Sequence, residues 1–251
     1  MAKNTKSLKH LSQSSQESWG NMKVVKIVLR MSAPVAVTET LHLDALLTAV
    51  SPAMHWTKSK VYSSSTDTSK IERAKIDLCR IEYGQEWIYC CSAMLFPEES
   101  VIANSTFTRR KTHEDALWFY RQYMPGSGRD KERMKKINVV LTPFVYFYAA
   151  TDNIDKLRSS LEDVYAVGGL RKQGYGTVKN IEVWECPRLD WQRCIVDDNH
   201  CATRRIPQEM CDSDDRPRRL TVKAPYWMHA ADILAYDVGA KVYSLKGRVI
   251  V

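Results

Sequence analysis

The residues with the most evident chemical potential lie at 168–176, where the sequence reads Gly-Gly-Leu-Arg-Lys-Gln-Gly-Tyr-Gly and holds four of the ten glycines in a chain of 251 residues. Glycine permits positive φ and close backbone approach, and backbone N–H groups in such a loop can form a concave nest for an anion. Two cationic side chains, an amide and an aromatic ring that can stack on a base add to this. This glycine loop is predicted to hold a phosphate backbone, and RNA is favoured. Its candidate residues are Gly168, Gly169, Arg171, Lys172, Gln173, Gly174, Tyr175 and Gly176.

The elements on either side of the glycine loop exclude the common nucleotide-cofactor sites. A helix is predicted over residues 152–164, with Asp152 or Asn153 as its cap and Gly168 as the glycine that ends it. An apolar face supports this helix: Ile154, Leu157, Leu161 and Val164. A strand is predicted over 177–184. Dinucleotide and Walker loops instead follow a strand and open a helix, and no Gly-Lys-Ser/Thr follows here. An alternative stays open, in which the glycines only shape a tight connection between helix and strand.

Composition favours a polyanionic partner and a chain without bound metal. The net charge is +8 and aromatic residues make up 10%. The sequence has no apolar run of about 20 residues and no secretory signal, so no membrane contact is predicted. Seven cysteines, an odd number, indicate reduced thiols in a cytoplasm. No zinc site is predicted, because the spacings of the candidate ligands contain no Cys-x-x-Cys pair and fit no standard finger: Cys186, Cys194, His200, Cys201 and Cys211. No cofactor is predicted.

The predicted elements give an α+β fold of ferredoxin-like, RRM-like βαββαβ plan. Residues 1–21 are predicted to be a disordered tail, and 22–251 a single domain with an irregular extension from 186. A first strand is predicted over 24–31, a helix over 41–50 ended by Pro52, a strand pair over 76–95 turning at Gly84-Gln85, and a strand over 137–148 with a bulge or edge at Pro143. Residues 57–75 and 124–136 are predicted as loops. Asp44, in the apolar helix, needs a backbone donor or a base as partner if it is buried.

Two sequence segments together carry a resemblance to a known family. Residues 41–47 read Leu-x-Leu-Asp-x-Leu-Leu, and the glycine loop reads Gly-Gly-x-x-x-x-Gly-x-Gly. Both are similar to the RAMP superfamily of CRISPR-associated proteins. Residues 204–207 resemble an Arg-Pro-Ile-Pro segment and residues 224–227 an Arg-Pro-Pro-Tyr-Trp segment, which are similar to the Cas-five-like subunit of type IV, class 1 effector complexes. The sequence departs from these patterns at Arg205 and at Lys223-Ala224.

The resemblance implies a role in an RNA-guided complex in the cytoplasm of a prokaryote. The implied partners are the 5′ handle of the guide RNA and the backbone (Cas-seven-like) and large subunits, and contact with target DNA near its flanking motif is left open. It also implies an inserted β-hairpin thumb around residues 100–135, with RNA contacts from Phe107, Thr108, Arg109, Arg110 and Lys111. His42 and Asp44 complete the predicted RNA site.

Three functions follow from these expectations. The first is a non-catalytic RNA-binding and assembly subunit. The runner-up is a guide-RNA-processing endoribonuclease, since related RAMP nucleases use a general base, often histidine, for which His42 or His55 would serve. The third, a small-ligand enzyme using the glycine loop, is disfavoured by the order of the elements. No catalytic constellation of Ser, His and Asp or of paired carboxylates is evident.

Overall fold

The structure is a computed structural model that describes residues 22–51, 76–109, 133–224, 226 and 232–250. The tail at 1–21, His55, Arg110, Lys111 and Trp227 therefore lie outside the described residues. The chain forms an α+β fold with mostly antiparallel strands. Its strands are β1 (Lys23–Met31), β2 (Val35–Ala36), β3 (Arg80–Tyr83), β4 (Glu86–Tyr89), β5 (Val101–Arg109), β6 (Arg133–Leu141), β7 (Phe144–Thr151), β8 (Val178–Glu185), β9 (Ile206–Pro207), β10 (Cys211–Asp212), β11 (Arg218–Leu220), β12 (Ile233–Tyr236), β13 (Ser244–Leu245) and β14 (Arg248–Ile250), and its helices are α1 (Leu43–Val50) and α2 (Ile154–Leu161).

The central sheet has the strand order β7-β1-β8, with both pairs antiparallel. Alternate residues of β1 (Val25, Ile27 and Leu29) are fully buried on one face of this sheet. They pack with α1, α2 and the matching residues of β7 in one hydrophobic core. Each such side chain contributes about 1.5–3 kcal/mol by its removal from water. The β-branched, apolar sequence of residues 24–31 predicted this strand correctly.

The two helices present the apolar faces that the sequence predicts. In α1 the buried residues include Leu43, Leu46 and Leu47, and the helix ends at Val50, two residues before Pro52. In α2 the buried residues are Leu157 and Leu161, and the side chain of Asn153 accepts a hydrogen bond from the Lys156 N–H at 3.0 Å. The prediction that Asp152 or Asn153 caps this helix is thus confirmed for Asn153.

Gly168 does not end α2, which corrects the prediction. The helix stops at Leu161, where Glu162 N–H bonds the Ser159 carbonyl and Val164 N–H bonds the Leu161 carbonyl, a tightened last turn. Val164 is then buried in the core, so the chain leaves the helical path well before Gly168.

Pro143 divides the strand predicted over 137–148 into two strands of different sheets. β6 ends at Leu141 and β7 begins at Phe144, because proline has no N–H to donate and restricts the residue before it. β6 also begins at Arg133, so the end of the predicted loop 124–136 is strand. The turn predicted at Gly84-Gln85 is confirmed between β3 and β4.

A second sheet has the order β2-β6-β5 and contains a β-hairpin. β5 and β6 pair over their full nine residues, from Val101 opposite Leu141 to Arg109 opposite Arg133. The residues that join the two strands, 110–132, lie outside the described residues. The hairpin spans residues 101–141 and overlaps the range around 100–135 in which the family resemblance implies an inserted hairpin.

The segment after residue 186 consists of short strands rather than irregular chain throughout. It holds β9 to β14, several of only two or three residues. These strands enclose a second hydrophobic core that includes Ile195, Ile206 and Tyr236 together with Val24 of β1 and Ala150 of β7. The extension is therefore built onto the central sheet. Within the described part of the chain, none of the helices is long and apolar enough to cross a membrane.

Candidate nucleic-acid interface

Contacts within the protein leave little room for a side chain at three of the four glycines in the glycine loop. An added Cβ at Gly176 would lie 1.8 Å from the Val167 carbonyl oxygen, and one at Gly168 would lie 2.7 Å from the Ala36 carbonyl oxygen. A Cβ at Gly169 would lie 2.9 Å from Thr38 Cγ2. Gly174 differs, because its φ of +86° requires glycine while the space around it is open. Most of the glycines thus shape the connection, and Gly174 alone faces outward.

Several backbone amides of the glycine loop already have acceptors. Gly169 N–H bonds the Ala36 carbonyl at 2.8 Å and Gly176 N–H bonds the Pro34 carbonyl at 2.7 Å. Within the loop, Gln173 N–H bonds the Leu170 carbonyl and Gly174 N–H bonds the Arg171 carbonyl, forming a short 3-10 helix over Arg171–Gln173. These four donors are committed to the fold and are therefore not available to an anion.

The glycine loop is attached to the β5–β6 hairpin through β2. Gly169 bridges Ala36, and Ala36 in turn pairs with Val139 of β6. Beneath this contact the Tyr175 hydroxyl lies 2.8 Å from the Ser105 hydroxyl of β5. Leu170, which adopts a left-handed φ of 53° that is unusual for leucine, packs with Tyr175 on the same small core. Tyr175 therefore is partly buried and connects the loop to β5, so its ring is not fully exposed for stacking on a base.

Cationic residues occur in both parts of this combined surface. Arg171 and Lys172 are exposed and make no ion pair within the described residues. On the hairpin, the register places Phe107 opposite Lys135 and Arg109 opposite Arg133, while Thr108 lies opposite Met134. The structure thus connects two of the segments that are predicted to contact RNA, which are residues 168–176 and 107–109.

His42 and Asp44 occupy the protein interior, away from this surface. Both are fully buried. The Tyr226 hydroxyl donates to the Asp44 carboxylate at 2.9 Å, and an Arg204 guanidinium nitrogen lies 3.6 Å from the same carboxylate. Asp44 therefore has the partner that the sequence demanded, but it comes from the protein rather than from a base. The assignment of His42 and Asp44 to an RNA site stays a prediction.

Arg204 is the central donor of this buried polar cluster, which we define as His42, Asp44, Arg204 and Tyr226. Its guanidinium donates to the carbonyls of Tyr89, Cys91 and Val222 and to the Tyr226 hydroxyl. These contacts join β4, α1 and the C-terminal extension. In the sequence, Arg204 stood out only as part of a motif. No local pattern predicts that an arginine is fully buried, because its acceptors are backbone carbonyls that are distant in sequence.

The environment of the cluster moves the pKa of each titratable member. Burial lowers the pKa of His42 well below its usual value, and the positive charges of Arg204 and Arg205 add to the effect. Burial raises the pKa of Asp44, although Arg204 and Tyr226 oppose it. Burial, and then the Asp44 charge, raises the pKa of Tyr226. His42 is thus neutral, and its ring is stacked on that of Tyr226 with 4.3 Å between the ring centres. Neither ring nitrogen has a hydrogen-bond partner among the residues that the structure describes.

The cysteines and carboxylates form no metal site in the part of the chain that is described. No group of three or more His, Cys, Asp and Glu there is arranged to hold a metal ion. All seven cysteines are free thiols. Cys90 and Cys91 are fully buried, and burial is the first cause of their raised pKa, which keeps both thiols protonated.

Comparison with known proteins leaves the family of the chain undefined. No protein-family model matches the chain, and no curated protein matches it significantly. Among solved structures, the chain is similar to a chain in the crystal structure of the Csm3-Csm4 subcomplex in the type III-A CRISPR-Cas interference complex, with 12% identity and a TM-score of 0.45, covering 90% of this chain and 95% of that one. Likeness at this level does not by itself define a fold or a function.

Proposed function

We propose that the chain is a non-catalytic RNA-binding subunit of a CRISPR ribonucleoprotein effector complex, a RAMP protein of the Cas-five-like type of type IV systems. In this role it holds the 5′ handle of the guide RNA and caps the filament of backbone subunits. The observation that carries the proposal is the union of the glycine loop and the β5–β6 hairpin. The two segments are distant in sequence, both are predicted to contact RNA, and they meet through β2 and the pair of hydroxyls at Ser105 and Tyr175.

The strand order supports the ferredoxin-like, RRM-like part of the proposal. β1 lies between β7 and β8, and isolated bridges from Cys91 and Leu95 add the preceding segment to the other edge of β7. The position of α1 after β1 and of α2 after β7 supports the proposed βαββαβ plan. In this reading the hairpin is the inserted thumb.

The buried polar cluster supports the resemblance to the family. The three segments on which that resemblance rests, besides the glycine loop, each contribute one residue to the cluster: Asp44, Arg204 and Tyr226. Residues that interlock physically give a structural reason for three separate motifs to occur in one chain.

The RNA-binding part of the proposal is tested by removing the exposed charges of the loop in Arg171→Ala/Lys172→Ala. The affinity for a guide RNA with its 5′ handle should fall. The slope of log affinity against log salt should drop by about 1.4, since each phosphate contact to a single strand contributes about 0.7. The free energy of unfolding should change by less than about 0.5 kcal/mol, as at ordinary surface positions. Fluorescence anisotropy over a salt series measures both the affinity and the slope.

The matched control removes two exposed cations elsewhere, in Arg216→Ala/Arg218→Ala of the C-terminal extension. This variant should keep the affinity of the parent chain. An equal loss in both double variants would show that only the overall charge matters, and the glycine loop would then have no special part in RNA binding.

The endoribonuclease alternative is tested directly by incubation of precursor RNA with the protein in the absence of metal. We expect no 2′,3′-cyclic phosphate product. His42 is buried and neutral, so cleavage would depend on another base, with His55 as the remaining candidate from the sequence. A cyclic phosphate product that is lost in His55→Ala would overturn the non-catalytic assignment.

The partner subunits are tested by co-purification with the products of neighbouring genes and sequencing of the bound RNA. A bound guide with a constant 5′ handle is the expected result. Co-purified RNA without a constant 5′ end would contradict the proposed position in the complex.

A further inference from the structure

The face of the central sheet that points away from the helices carries aromatic and cationic side chains in three rows. The pairing of β7, β1 and β8 places Tyr148, Lys26 and Trp184 side by side in the first row. The second row holds Tyr146, Val28 and Glu182, and the third holds Phe144, Arg30 and Asn180. Since Lys26 and Arg30 are four residues apart on one strand, the rows span roughly 13 Å.

The cations of this sheet face lie against the rings. Lys26 Nζ is 4.4 Å from the centre of the Tyr146 ring and 5.9 Å from that of Tyr148. The Arg30 guanidinium carbon is 5.4 Å from the centre of the Phe144 ring. Such contacts fix the cations beside the rings and keep their charge at the surface. Of the aromatic residues, Trp184 has the greatest access to solvent, with 59% of its surface exposed.

The charge balance of the sheet face favours an anionic ligand. Glu182 is the one acidic residue of the three rows, and Arg30 engages it at 2.9 and 3.3 Å, while the Trp184 indole N–H donates to it at 3.2 Å. The aliphatic member, Val28, is buried. Rings and cations without exposed aliphatic groups are the composition with which proteins stack the bases and neutralise the phosphates of single strands.

We propose that this sheet face binds single-stranded nucleic acid, with bases stacked on Trp184 and on the half-buried rings of Tyr146 and Phe144 and with phosphates beside Lys26 and Arg30. Tyr148 lies at the edge of the site, because it packs against the second hydrophobic core and the Arg193 guanidinium lies 5.6 Å from the centre of its ring. The site is separate from the loop and hairpin of the proposed function and stands on different residues. Its third row adjoins the end of the glycine loop, since Ser32 N–H donates to the Thr177 carbonyl at 2.9 Å.

The test measures binding of a fluorescent ten-nucleotide oligouridine RNA and a matching oligothymidine DNA to the full chain. Trp184→Ala should raise Kd by about fivefold or more for the oligonucleotide that the sheet face binds, because loss of one stacked base costs at least about 1 kcal/mol. Trp184→Phe should restore the affinity to within about twofold, since it keeps a stacking face. The control is Tyr165→Ala, which removes another aromatic residue, 69% exposed and beside α2, and should leave Kd unchanged.

The outcomes for Trp184→Ala separate the possible ligands, and each of the following three supports the proposal. A loss of affinity for RNA alone identifies the guide as the ligand, and a loss for DNA alone identifies the target strand. An equal loss for both identifies a site that stacks bases without distinguishing the two nucleic acids. An unchanged Kd for both oligonucleotides in Trp184→Ala overturns the proposal. If this variant also loses a co-purifying subunit, the sheet face binds protein instead of nucleic acid. An equal loss in Tyr165→Ala would also overturn the proposal.

The failure of this proposal is distinguishable from that of the proposed function. Arg171→Ala/Lys172→Ala is measured in the same assay with RNA that carries the 5′ handle. If that variant binds normally while Trp184→Ala does not, the glycine loop is excluded and the sheet face stands. If Arg171→Ala/Lys172→Ala binds weakly while Trp184→Ala binds normally, the sheet face is excluded as a site and the glycine loop is not.

Discussion

Asp44 brings a carboxylate into the apolar face of α1, and its surroundings explain how the fold tolerates it. The Tyr226 hydroxyl donates to the carboxylate, and that hydroxyl in turn accepts from Arg204 at 3.1 Å. The direct separation between Arg204 and Asp44, 3.6 Å, is longer than a hydrogen bond, so the tyrosine completes the link. Buried charges of this kind cost several kcal/mol when one partner is lost, because the other then remains unpaired.

Asp44→Ala should therefore lower the free energy of unfolding by about 3–5 kcal/mol, because Arg204 would stay buried without a counter-charge. Chemical denaturation measures the change. The control is Asp155→Ala, whose carboxylate is 92% exposed in an ion pair with Arg158 and whose loss should cost less than about 0.5 kcal/mol. A cost for Asp44→Ala as small as that of the control would show that the cluster does not stabilise the fold.

His42 gives the protein a predicted dependence of stability on acid. Its pKa in the folded state lies well below 6.5, the value expected when unfolded, so the unfolded chain binds the proton more tightly. The free energy of unfolding should thus fall as pH drops below about 6.5, by up to about 1.4 kcal/mol per pH unit, until the folded-state pKa is reached. Burial of Asp44 acts in the opposite direction, so a variant is needed to isolate His42.

His42→Phe is that variant, since it keeps the stack on Tyr226 and removes two ring nitrogens that have no partner. It should be at least as stable as the parent at pH 7, because burial of an unpaired polar group is unfavourable. Its stability should also fall less between pH 6.5 and pH 5. Thermal unfolding at several pH values measures both, and parallel pH profiles of the two proteins would contradict the account.

At the scale of elements, the glycine loop is a connection whose shape is set by the strands beneath it. Gly168 and Gly176 touch backbone of β2 and of the chain before the loop, whereas Gly174 lies at the exposed turn. The sequence allowed two interpretations of the loop: that its glycines only shape the connection, and that the loop binds a ligand. The two interpretations apply to different residues. The shape comes from Gly168, Gly169 and Gly176, and the exposed charge from Arg171 and Lys172.

This division predicts different costs for two matched substitutions. Gly176→Ala should destabilise severely, because its Cβ would lie 1.8 Å from the Val167 carbonyl oxygen. Gly174→Ala has the same positive φ but open space, so it should cost only about 1–2 kcal/mol, the penalty of a left-handed conformation. Chemical denaturation compares the two variants. Equal costs would mean that the backbone can shift away from the added Cβ at Gly176.

The elements also show which predictions a sequence can support. The face of α2 with Leu157 and Leu161 was predictable because helical periodicity is local, and the cap at Asn153 followed from its side chain. The imperfect phase of β8 has its cause in the irregular register where Met31 meets Val178, which turns successive apolar residues to the same core. The partners of Asp44 were not predictable, since Arg204 and Tyr226 approach it only in three dimensions. The alternation of Phe144, Tyr146 and Tyr148 was present in the sequence, but the continuous apolar character of 137–148 obscured it.

At the scale of the whole molecule, two hydrophobic cores share one sheet. The first core lies between the central sheet and the two helices, and the second lies between that sheet and the C-terminal extension. β1 contributes to both, with Val25 in the first core and Val24 in the second. The buried polar cluster crosses from one core to the other through Arg204. The extension is consequently part of the folding unit.

A chain that ends after residue 185 should therefore fail to fold cooperatively. It would lose most of the second core and leave Asp44 without either Arg204 or Tyr226. Circular dichroism with thermal scanning should show a broad, weak transition in place of a single cooperative one. Deletion of residues 2–21, the predicted tail, is the control and should leave Tm unchanged. A truncated chain with the Tm of the full chain would contradict the shared-core account.

The link between Asp44 and Tyr226 also sets an order of events during synthesis. Asp44 leaves the ribosome early, but Tyr226 follows 182 residues later. At 5–20 residues per second, the nascent chain carries an uncompensated carboxylate in its first helix for roughly 10–35 seconds. Completion of the native structure must then wait until Tyr226 has been synthesised, and a chain that stops before this residue lacks the hydroxyl that donates to Asp44.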